Sequence, residues 1–269
     1  MARVLAPETV ADPLHYDEGV DTELRGLFDF DALPDSVPVP GREDGVDDDG
    51  ESHDTGQSLW RILPLTEAMA STGPGKKLVA RLNRWVPEKG QVHEYLPLVR
   101  DLLHHTALKV AGDSDLDRGL HDMFRDMVLA TAWQETCWRQ FVRSGDKVAP
   151  VTSAGGAVGI MQVIPAVWRG FYDGKSLAGD IAYNAAAGSE ILMHYLVDYA
   201  IARGEHEVDG GTNNLPRAAY AAYNGGPSHL RRYRTARVAE SLQRIDQAFW
   251  DKYRTIAGGD ELAVAGCFS

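Results

Sequence analysis

The chain of 269 residues lacks the long apolar runs that mark membrane proteins. A membrane-spanning helix needs about 18 or more consecutive apolar residues, and no stretch approaches that length. No apolar segment of the secretory type follows Met1 either. The sequence therefore predicts no membrane span. It also predicts that the chain either is given without its secretory leader or reaches its destination by another route.

Cysteine is nearly absent. Cys137 and Cys267 are the only two, and their spacing does not match a metal site. The pair His104-His105 lacks the HExxH spacing of zinc proteases. If Gly50 after the run Asp47–Asp49 were the obligatory glycine of a calcium loop, its first and last ligands would fall at Gly45 and Gly56, which have no side chain to coordinate with. We therefore predict no metal and no cofactor. Cys137 is interpreted as a small buried side chain, and a bridge to Cys267 stays open.

Strand signals are also scarce, whereas apolar residues recur at helical spacing. Asp180 is placed to cap a long helix that stops at Gly204, and Pro216 is placed to start another. Further helical stripes lie at 92–110, 116–128 and 238–253. The predicted fold class is all-α.

Positive charge is scarce near the N-terminus. Residues 1–56 contain 16 acidic and 3 basic residues, a net charge of −13, although the whole chain carries −12 and the remainder about +1. Prolines and glycines interrupt this segment, and it has no sustained periodicity. We therefore predict a solvated, poorly ordered or loosely docked acidic arm. Its apolar cluster at Leu24–Phe30 is the part able to dock on the body.

These features divide the chain into four parts. The predicted parts are an acidic arm (1–56), a helical accessory unit (57–112), a helical catalytic domain (113–256) and a C-terminal tail (257–269).

The most informative stretch runs from Ala132 to Gln162 and places an acid, Glu135, inside an apolar helical segment. Ala132 and Trp138 lie three residues before and after Glu135, so a continuous helix would give the carboxyl apolar neighbours. Such surroundings raise the pKa of a carboxyl group, which suits a general acid at neutral pH. The glycine-dense segment 153–162 then allows tight turns close to a ligand.

Three motifs occur in order and together resemble the lytic transglycosylase family (SLT type), whose members have the lysozyme-like fold. The motifs are Glu135-Thr136, SAGGAVGIMQ over 153–162 and AYNGGP over 222–227, with Asp180, Asn184 and Gly188 resembling a D…N…G series between the last two. The resemblance covers residues 124–233. It implies a lysozyme-like catalytic domain, which agrees with the all-α prediction.

The resemblance also implies a site on the residues that match the motifs. Glu135 would be the catalytic acid, and Tyr223 falls where the family has a tyrosine whose hydroxyl orients that acid. The implied sugar-binding residues are Ser153, Met161, Gln162 and Asn224. Of these, Asn224 would mainly hold a turn, and packing explains Met161 nearly as well.

The implied enzyme is a lyase that cleaves peptidoglycan (murein) in the periplasm or cell envelope of a bacterium. Glu135 would protonate the oxygen between N-acetylmuramic acid and N-acetylglucosamine. The same group, now a carboxylate, would deprotonate the muramic acid's own 6-hydroxyl. No water enters, and the product carries a 1,6-anhydro ring. A secretion-system or envelope protein stays open as a partner, and no nucleic-acid partner is predicted.

Two departures from the family pattern bear on the site. Thr136 replaces the family's serine and keeps a hydroxyl, while the stretch between Glu135 and Ser153 is longer than usual. We expect the loop over 143–151 to reshape the substrate groove.

Two other functions stay open. One is a hydrolytic muramidase that resembles goose-type lysozymes, in which Asp173, Asp180 or Glu190 would activate water. The other is a non-catalytic peptidoglycan-binding or secretion-scaffold protein. The intact set of Glu135, Gln162 and Tyr223 argues against the scaffold, since a pure binder has no need of the acid.

Overall fold

A computed structural model describes residues 73–269, so the acidic arm, its Leu24–Phe30 cluster and the first part of the predicted accessory unit lie outside it. The described part is mainly helical, as the all-α prediction requires. Its helices are α1 (Gly73–Leu82), α2 (Val92–Gly112), α3 (His121–Thr136), α4 (Gly174–Gly179), α5 (Ile181–His194), α6 (Asn214–Gly225) and α7 (Glu240–Ala257). None of these helices is both long enough and apolar enough to cross a membrane.

Short helical segments connect these elements. The 3-10 turns are Lys89–Gln91, Arg118–Leu120, Glu205–Glu207, Gly211–Asn213, Pro227–His229, Arg232–Arg234 and Glu261–Phe268. Helix α5 continues without a break into a π-helical segment, Tyr195–Ile201, and the chain turns at Gly204, where φ is +67°. The stop predicted at Gly204 is therefore confirmed.

Helix α5 occupies the middle of the core, where all of its residues except Tyr183 and His194 are buried. Its start is fixed by side chains that take up free backbone N–H groups. Asp180 accepts hydrogen bonds from the N–H groups of residues 182 and 183 at 2.8 and 2.9 Å. Asn83, just after α1, accepts the N–H of Ile181 at 2.9 Å. The predicted cap at Asp180 is confirmed.

Helix α3 packs against α2 and α7, and α2 also packs along α5. The helical stripe predicted over 92–110 faces this interior, and its side chains at Tyr95, Val99 and Leu103 are at most 1% exposed. Burying one such side chain contributes about 1.5–3 kcal/mol. Residues on both sides of position 112 therefore share one core, and the domain boundary placed there stays a prediction.

The stretch expected to be an irregular loop forms a β-hairpin instead. Strands β1 (Phe141–Ser144) and β2 (Lys147–Pro150) pair antiparallel, with Ser144 opposite Lys147. The two-residue turn between them begins at Gly145, whose φ of +59° suits the primed turns of tight hairpins. Alternation is weak here because only Phe141 is buried. This explains why the pattern gave no strand signal.

A disulfide between Cys137 and Cys267 fastens the C-terminal turn to the end of α3, with the two Cα atoms 6.1 Å apart. Cys137 is thus a bonded residue and not a free buried side chain, which corrects the sequence interpretation. Arg139 supports the same turn, because its guanidinium donates to the carbonyl of Cys267 at 2.8 Å and lies over the ring of Phe268. The predicted tail is therefore docked on the body.

We expect Cys267→Ser to lower the free energy of unfolding by about 2–4 kcal/mol, because the bond closes a loop of 130 residues in the unfolded chain. Urea denaturation with and without dithiothreitol measures the difference. The reductant should destabilise the wild type and leave the variant unchanged. Equal stabilities under oxidising conditions would contradict a stabilising disulfide.

Candidate active site

Glu135 is the penultimate residue of α3, and the chain leaves the helix sharply behind it. Cys137 and Trp138 have φ values of +52° and +61°, a conformation that side chains other than glycine seldom adopt. Trp138 is fully buried, and its indole N–H donates to the carbonyl of Leu129 at 2.9 Å. Trp138 therefore does not lie on the helical face of Glu135, contrary to the expectation from the sequence.

The carboxyl of Glu135 accepts a hydrogen bond from the hydroxyl of Tyr220 at 2.9 Å. The residue keeps a partly exposed surface, but protein atoms crowd the carboxyl so that its charged form is poorly solvated. Burial raises the pKa of Glu135 to about 7, against the opposing effects of the Tyr220 hydrogen bond and the charge of Lys252. A group with this pKa is both protonated and ionised in substantial amounts at neutral pH.

Tyr223 lies beside the same carboxyl but bonds elsewhere. Its hydroxyl donates to the carbonyl oxygen of Met161 at 2.5 Å. Burial raises the pKa of Tyr223 well above its ordinary value, and the neighbouring charge of Glu135 adds to the effect. The tyrosine hydroxyl that donates to Glu135 is therefore that of Tyr220, one helical turn before Tyr223 in α6. Tyr223 instead holds the glycine-dense segment through the carbonyl of Met161.

Two buried amides hold that segment in place. Asn184 accepts the N–H of Met161 at 2.8 Å and donates to the carbonyl of Val158 at 2.8 Å. Gln140 accepts the N–H of Ile160 at 2.7 Å and donates to the carbonyl of Leu177 in α4 at 3.0 Å. Both amides are fully buried. The backbone of the segment is thus fixed by side chains, in place of a regular ladder.

Two glycines make this close approach possible. A Cβ on Gly159, where φ is +77°, would lie 2.4 Å from the amide of Asn184. A Cβ on Gly188 would lie 2.3 Å from the side chain of Met161 and 3.1 Å from the hydroxyl of Tyr223. Contacts under 3.0 Å are sterically forbidden, so both positions require glycine. Gly188 thus lets the side chain of Met161 lie directly against α5.

The predicted sugar-binding residues separate into two groups. Gln162 is partly exposed, with φ of +49°, and its amide donates to the carbonyl of Gly159 at 2.8 Å. Ser153 is also partly exposed and accepts the N–H of Ala157 at 3.1 Å. Met161 is fully buried, so its side chain forms the floor beneath the site. Asn224 accepts a hydrogen bond from the guanidinium of Arg232 at 3.1 Å, consistent with a role in holding the turn.

Three carboxylates are the candidates for the second catalytic group that a muramidase would need. Asp173 and Asp180 cap α4 and α5 through backbone N–H groups. Glu190 is 8% exposed, and its carboxylate accepts the hydroxyl of Tyr172 at 2.8 Å; burial raises its pKa to about 7. Within the described part of the chain, none of the three contributes to the pKa shift of Glu135. Glu135 is electrostatically separate from them.

Helix α6, which carries both tyrosines, is fastened at each end. Before it, Glu205 is inaccessible to water because the side chains of Arg231 and Arg234 cover it, each 2.9 Å from its carboxylate. After it, Arg232 and Asp246 form a buried pair, at most 7% exposed, with a shortest contact of 2.6 Å. These three ion pairs, in two clusters, flank the helix that brings Tyr220 to the acid.

A comparison with known protein families identifies the segment that carries the site. Residues 122–244 match the family model described as the transglycosylase SLT domain, a little under half of the chain. The matched segment is an SLT domain. The resemblance drawn from the three motifs is thereby confirmed, as is the lysozyme-like fold. No curated protein and no solved structure matches the chain.

SLT domains are lytic transglycosylase domains that act on peptidoglycan. The SLT domain of this chain contains the whole set of predicted site residues, and it also contains two that the motifs missed, Gln140 and Tyr220. Tyr220 stacks on Phe249 of α7, with ring centres 3.9 Å apart. Phe249 and Lys252 lie beyond the matched segment, and only the three-dimensional packing of α7 on α3 relates them to Glu135.

The ion-pair cluster of the SLT domain gives a prediction on acid stability. Burial alone would raise the pKa of Glu205, but hydrogen bonds from Arg234, Tyr233 and Arg231 outweigh it and lower the pKa to about 2. Because the folded pKa lies below the unfolded value, the stabilisation is present above about pH 4.5 and is lost as the pH falls towards 2.

We therefore expect Glu205→Gln to lower the free energy of unfolding by about 2 kcal/mol at pH 7, allowing for partial solvent screening of the arginines. The gap between variant and wild type should narrow progressively below about pH 4.5, as the pH falls towards the folded pKa of about 2. Urea titrations from pH 7 to pH 3 measure it, and the exposed neighbour change Glu207→Gln is the control. A gap that is independent of pH would contradict the ion-pair explanation.

Proposed function

We propose that this chain is a peptidoglycan lytic transglycosylase with Glu135 as its single acid and base. The observation that carries the proposal is a crowded Glu135 carboxyl, hydrogen-bonded by Tyr220 within an SLT domain, whose pKa of about 7 has no contribution from another described carboxylate. Most glycosidases divide acid and base work between two carboxylates. A single group can serve in both steps only if its pKa lies near the working pH.

In the first step, protonated Glu135 donates its proton to the oxygen that links N-acetylmuramic acid to N-acetylglucosamine. The bond from that oxygen to the anomeric carbon breaks, and N-acetylglucosamine leaves with the proton. Glu135 is now a carboxylate. The Tyr220 hydroxyl donates to it at 2.9 Å, which favours the charged form at the moment when it arises.

In the second step, the carboxylate takes the proton of the muramic acid's own 6-hydroxyl, whose oxygen bonds to the anomeric carbon. The product is a 1,6-anhydro ring, Glu135 regains its proton, and no water is consumed. The intramolecular hydroxyl is already held near the reacting carbon, which gives it a large advantage in effective concentration over solvent water. This route needs no second base.

Two partly exposed residues supply the proposed substrate contacts. Gln162 and Ser153 lie on the glycine-dense segment, which two buried amides hold rigid. The end of the β-hairpin joins this segment, because the N–H of Gly159 donates to the carbonyl of Val151 at 2.9 Å and the Gln162 amide approaches the same carbonyl at 3.4 Å. We propose that the hairpin forms one rim of the glycan groove.

The disulfide supports action in the periplasm or cell envelope. Both cysteines of the chain are used in it. Disulfides persist in oxidising compartments and are rare in the reducing cytosol. Peptidoglycan also lies outside the cytosol, so the disulfide and the proposed substrate both favour the periplasm or cell envelope.

The decisive experiment is the mass of the products. Purified peptidoglycan is digested and the muropeptides are analysed by mass spectrometry. Muramic acid ends should be anhydro forms, each one water lighter than a hydrolysis product, with masses that borohydride leaves unchanged. Glu135→Gln should abolish product formation but retain binding to sacculi, whereas Glu190→Gln should still give anhydro ends.

Two outcomes would overturn this proposal. Reducing muramic acid ends would mean that water had been activated, and loss of activity in Glu190→Gln would then support the muramidase alternative. Absence of any product from intact sacculi and from soluble glycan strands, with binding retained, would support the scaffold alternative.

The two tyrosines of α6 should behave differently. Tyr220→Phe removes a hydrogen bond that lowers the pKa of Glu135, so we expect kcat to fall roughly tenfold with little change in KM. The alkaline limb of its pH profile should move to higher pH. Tyr223→Phe leaves the Met161 carbonyl without its donor, so it should lower thermal stability and leave that limb in place. The reverse pattern would show that Tyr223 orients Glu135 once substrate is bound.

A further inference from the structure

Helix α7 presents one face to the catalytic helix beyond the end of the matched SLT segment. Phe249 and Lys252 are three residues apart, so they share this face. Phe249 stacks under Tyr220, with ring planes inclined by only 3°. Lys252 lies against α3 one residue before the acid, where its ammonium donates to the side-chain oxygen of Gln134 at 2.8 Å. The face therefore contacts both Tyr220, which donates to the catalytic carboxyl, and Gln134, the residue before the acid.

The ammonium of Lys252 has neutral groups as its direct partners. Gln134 accepts its hydrogen bond, and the ring of Trp133 lies 5.8 Å from the nitrogen. Among residues 73–269, no carboxylate lies within ion-pair distance of this ammonium, and the adjacent Asp251 is bonded to Arg254. An amide dipole and a ring orient a cation without cancelling its charge. The charge of Lys252 is thus available to Glu135.

We propose that Lys252 is a positioning residue for the catalytic acid, because its ammonium stabilises the carboxylate that Glu135 becomes between the two steps. The proposal rests on the transglycosylase function argued above. It assigns to α7 a part in the reaction, although α7 reaches past residue 244, where the family match ends.

The charged and titratable groups around the acid are few. Burial raises the pKa of Glu135, while the Tyr220 hydrogen bond from α6 and the charge of Lys252 from α7 lower it. Tyr223, also on α6, stays neutral because its own pKa is raised well above its ordinary value. Burial lowers the pKa of Lys252, and the charges of Asp251 and Glu135 raise it. Lys252 is thus the cation that opposes the burial of Glu135.

The consequence for catalysis follows from the timing of the charge. The carboxylate does not exist when protonated Glu135 meets the substrate, and it develops as the glycosidic bond breaks. A fixed cation therefore favours the transition state more than the ground state. A lysine fits this role because it carries a compact charge at the end of a long side chain, and here that charge lies 5.8 Å from the ring of Trp133.

The test compares Lys252→Met and Lys252→Gln, both neutral, with Lys252→Arg, which keeps the charge. We expect both neutral variants to move the alkaline midpoint of kcat/KM up by about one pH unit, the lower end of the effect of a nearby opposite charge on a carboxyl. Their rate on the acid side should fall roughly threefold, because a weaker acid donates its proton less readily. Lys252→Arg should keep both the alkaline midpoint and the rate on the acid side close to their wild-type values.

Arg244→Met is the matched control, since it removes one exposed cation from the same helix. Peptidoglycan is anionic, so a general loss of attraction would affect this control as well. We expect its pH midpoint to stay in place. Two results would overturn the proposal: a slower Lys252→Met enzyme with an unmoved midpoint, and a raised KM with unchanged kcat and midpoint. The second would make Lys252 a substrate-binding residue.

A measurement without turnover separates this proposal from the proposed function. Proteins labelled with ¹³C at glutamate carboxyls are titrated by NMR, and the Glu135 signal is assigned by its loss in Glu135→Gln. The Glu135 midpoint should be higher in Lys252→Met than in the wild type. Equal midpoints would refute the role of Lys252, even in an active enzyme. A raised midpoint in a protein without activity would support the role of Lys252 and refute the transglycosylase assignment.

Discussion

The hydrogen bond from Tyr220 to Glu135 is the contact on which the site depends, and much of the fold serves to hold its two ends. The acid lies at the end of α3, where a buried tryptophan and a disulfide fix the departing chain. The tyrosine lies on α6, which ion pairs fasten on both sides. Because the bond joins residues 85 positions apart, it forms only when both helices are placed by tertiary packing.

The substrate side of the site is built on a different principle. Between 157 and 162 the backbone forms turns and isolated bridges such as Val158 with Val163, so the N–H groups that these leave free need partners from elsewhere. Asn184 and Gln140 supply these partners from the interior, and Gly159 and Gly188 give the space. The segment is thereby tied to the interior by hydrogen bonds from buried side chains. Rigidity here favours binding, because a preformed groove loses less entropy when a glycan docks.

The sequence predicted what local pattern and contiguous motifs encode. The helices, the Asp180 cap, the Gly204 stop and the raised pKa of Glu135 were all predictable. The contacts that cross the fold were not. Tyr223 was preferred over Tyr220 because both occupy one helix and only the motif distinguished them. Lys252 and the cysteine pairing carry no local signal, since each depends on how distant helices pack. The hairpin was missed because its strands are largely exposed.

Two glutamates of the same domain show how surroundings divide stability from catalysis. Glu205 gains three donors, its pKa falls to about 2, and its charge stabilises the fold above about pH 4.5. At Glu135, burial raises the pKa to about 7, because the Tyr220 hydroxyl and the charge of Lys252 only partly offset it. Its contribution is complete only below about pH 4.5 and is lost as the pH rises through 7, so the ionised acid costs stability at neutral pH. A group held as tightly as Glu205 could never give up a proton near neutrality, because it would carry none. The incomplete compensation at Glu135 is therefore a condition for a single carboxyl to be acid and then base.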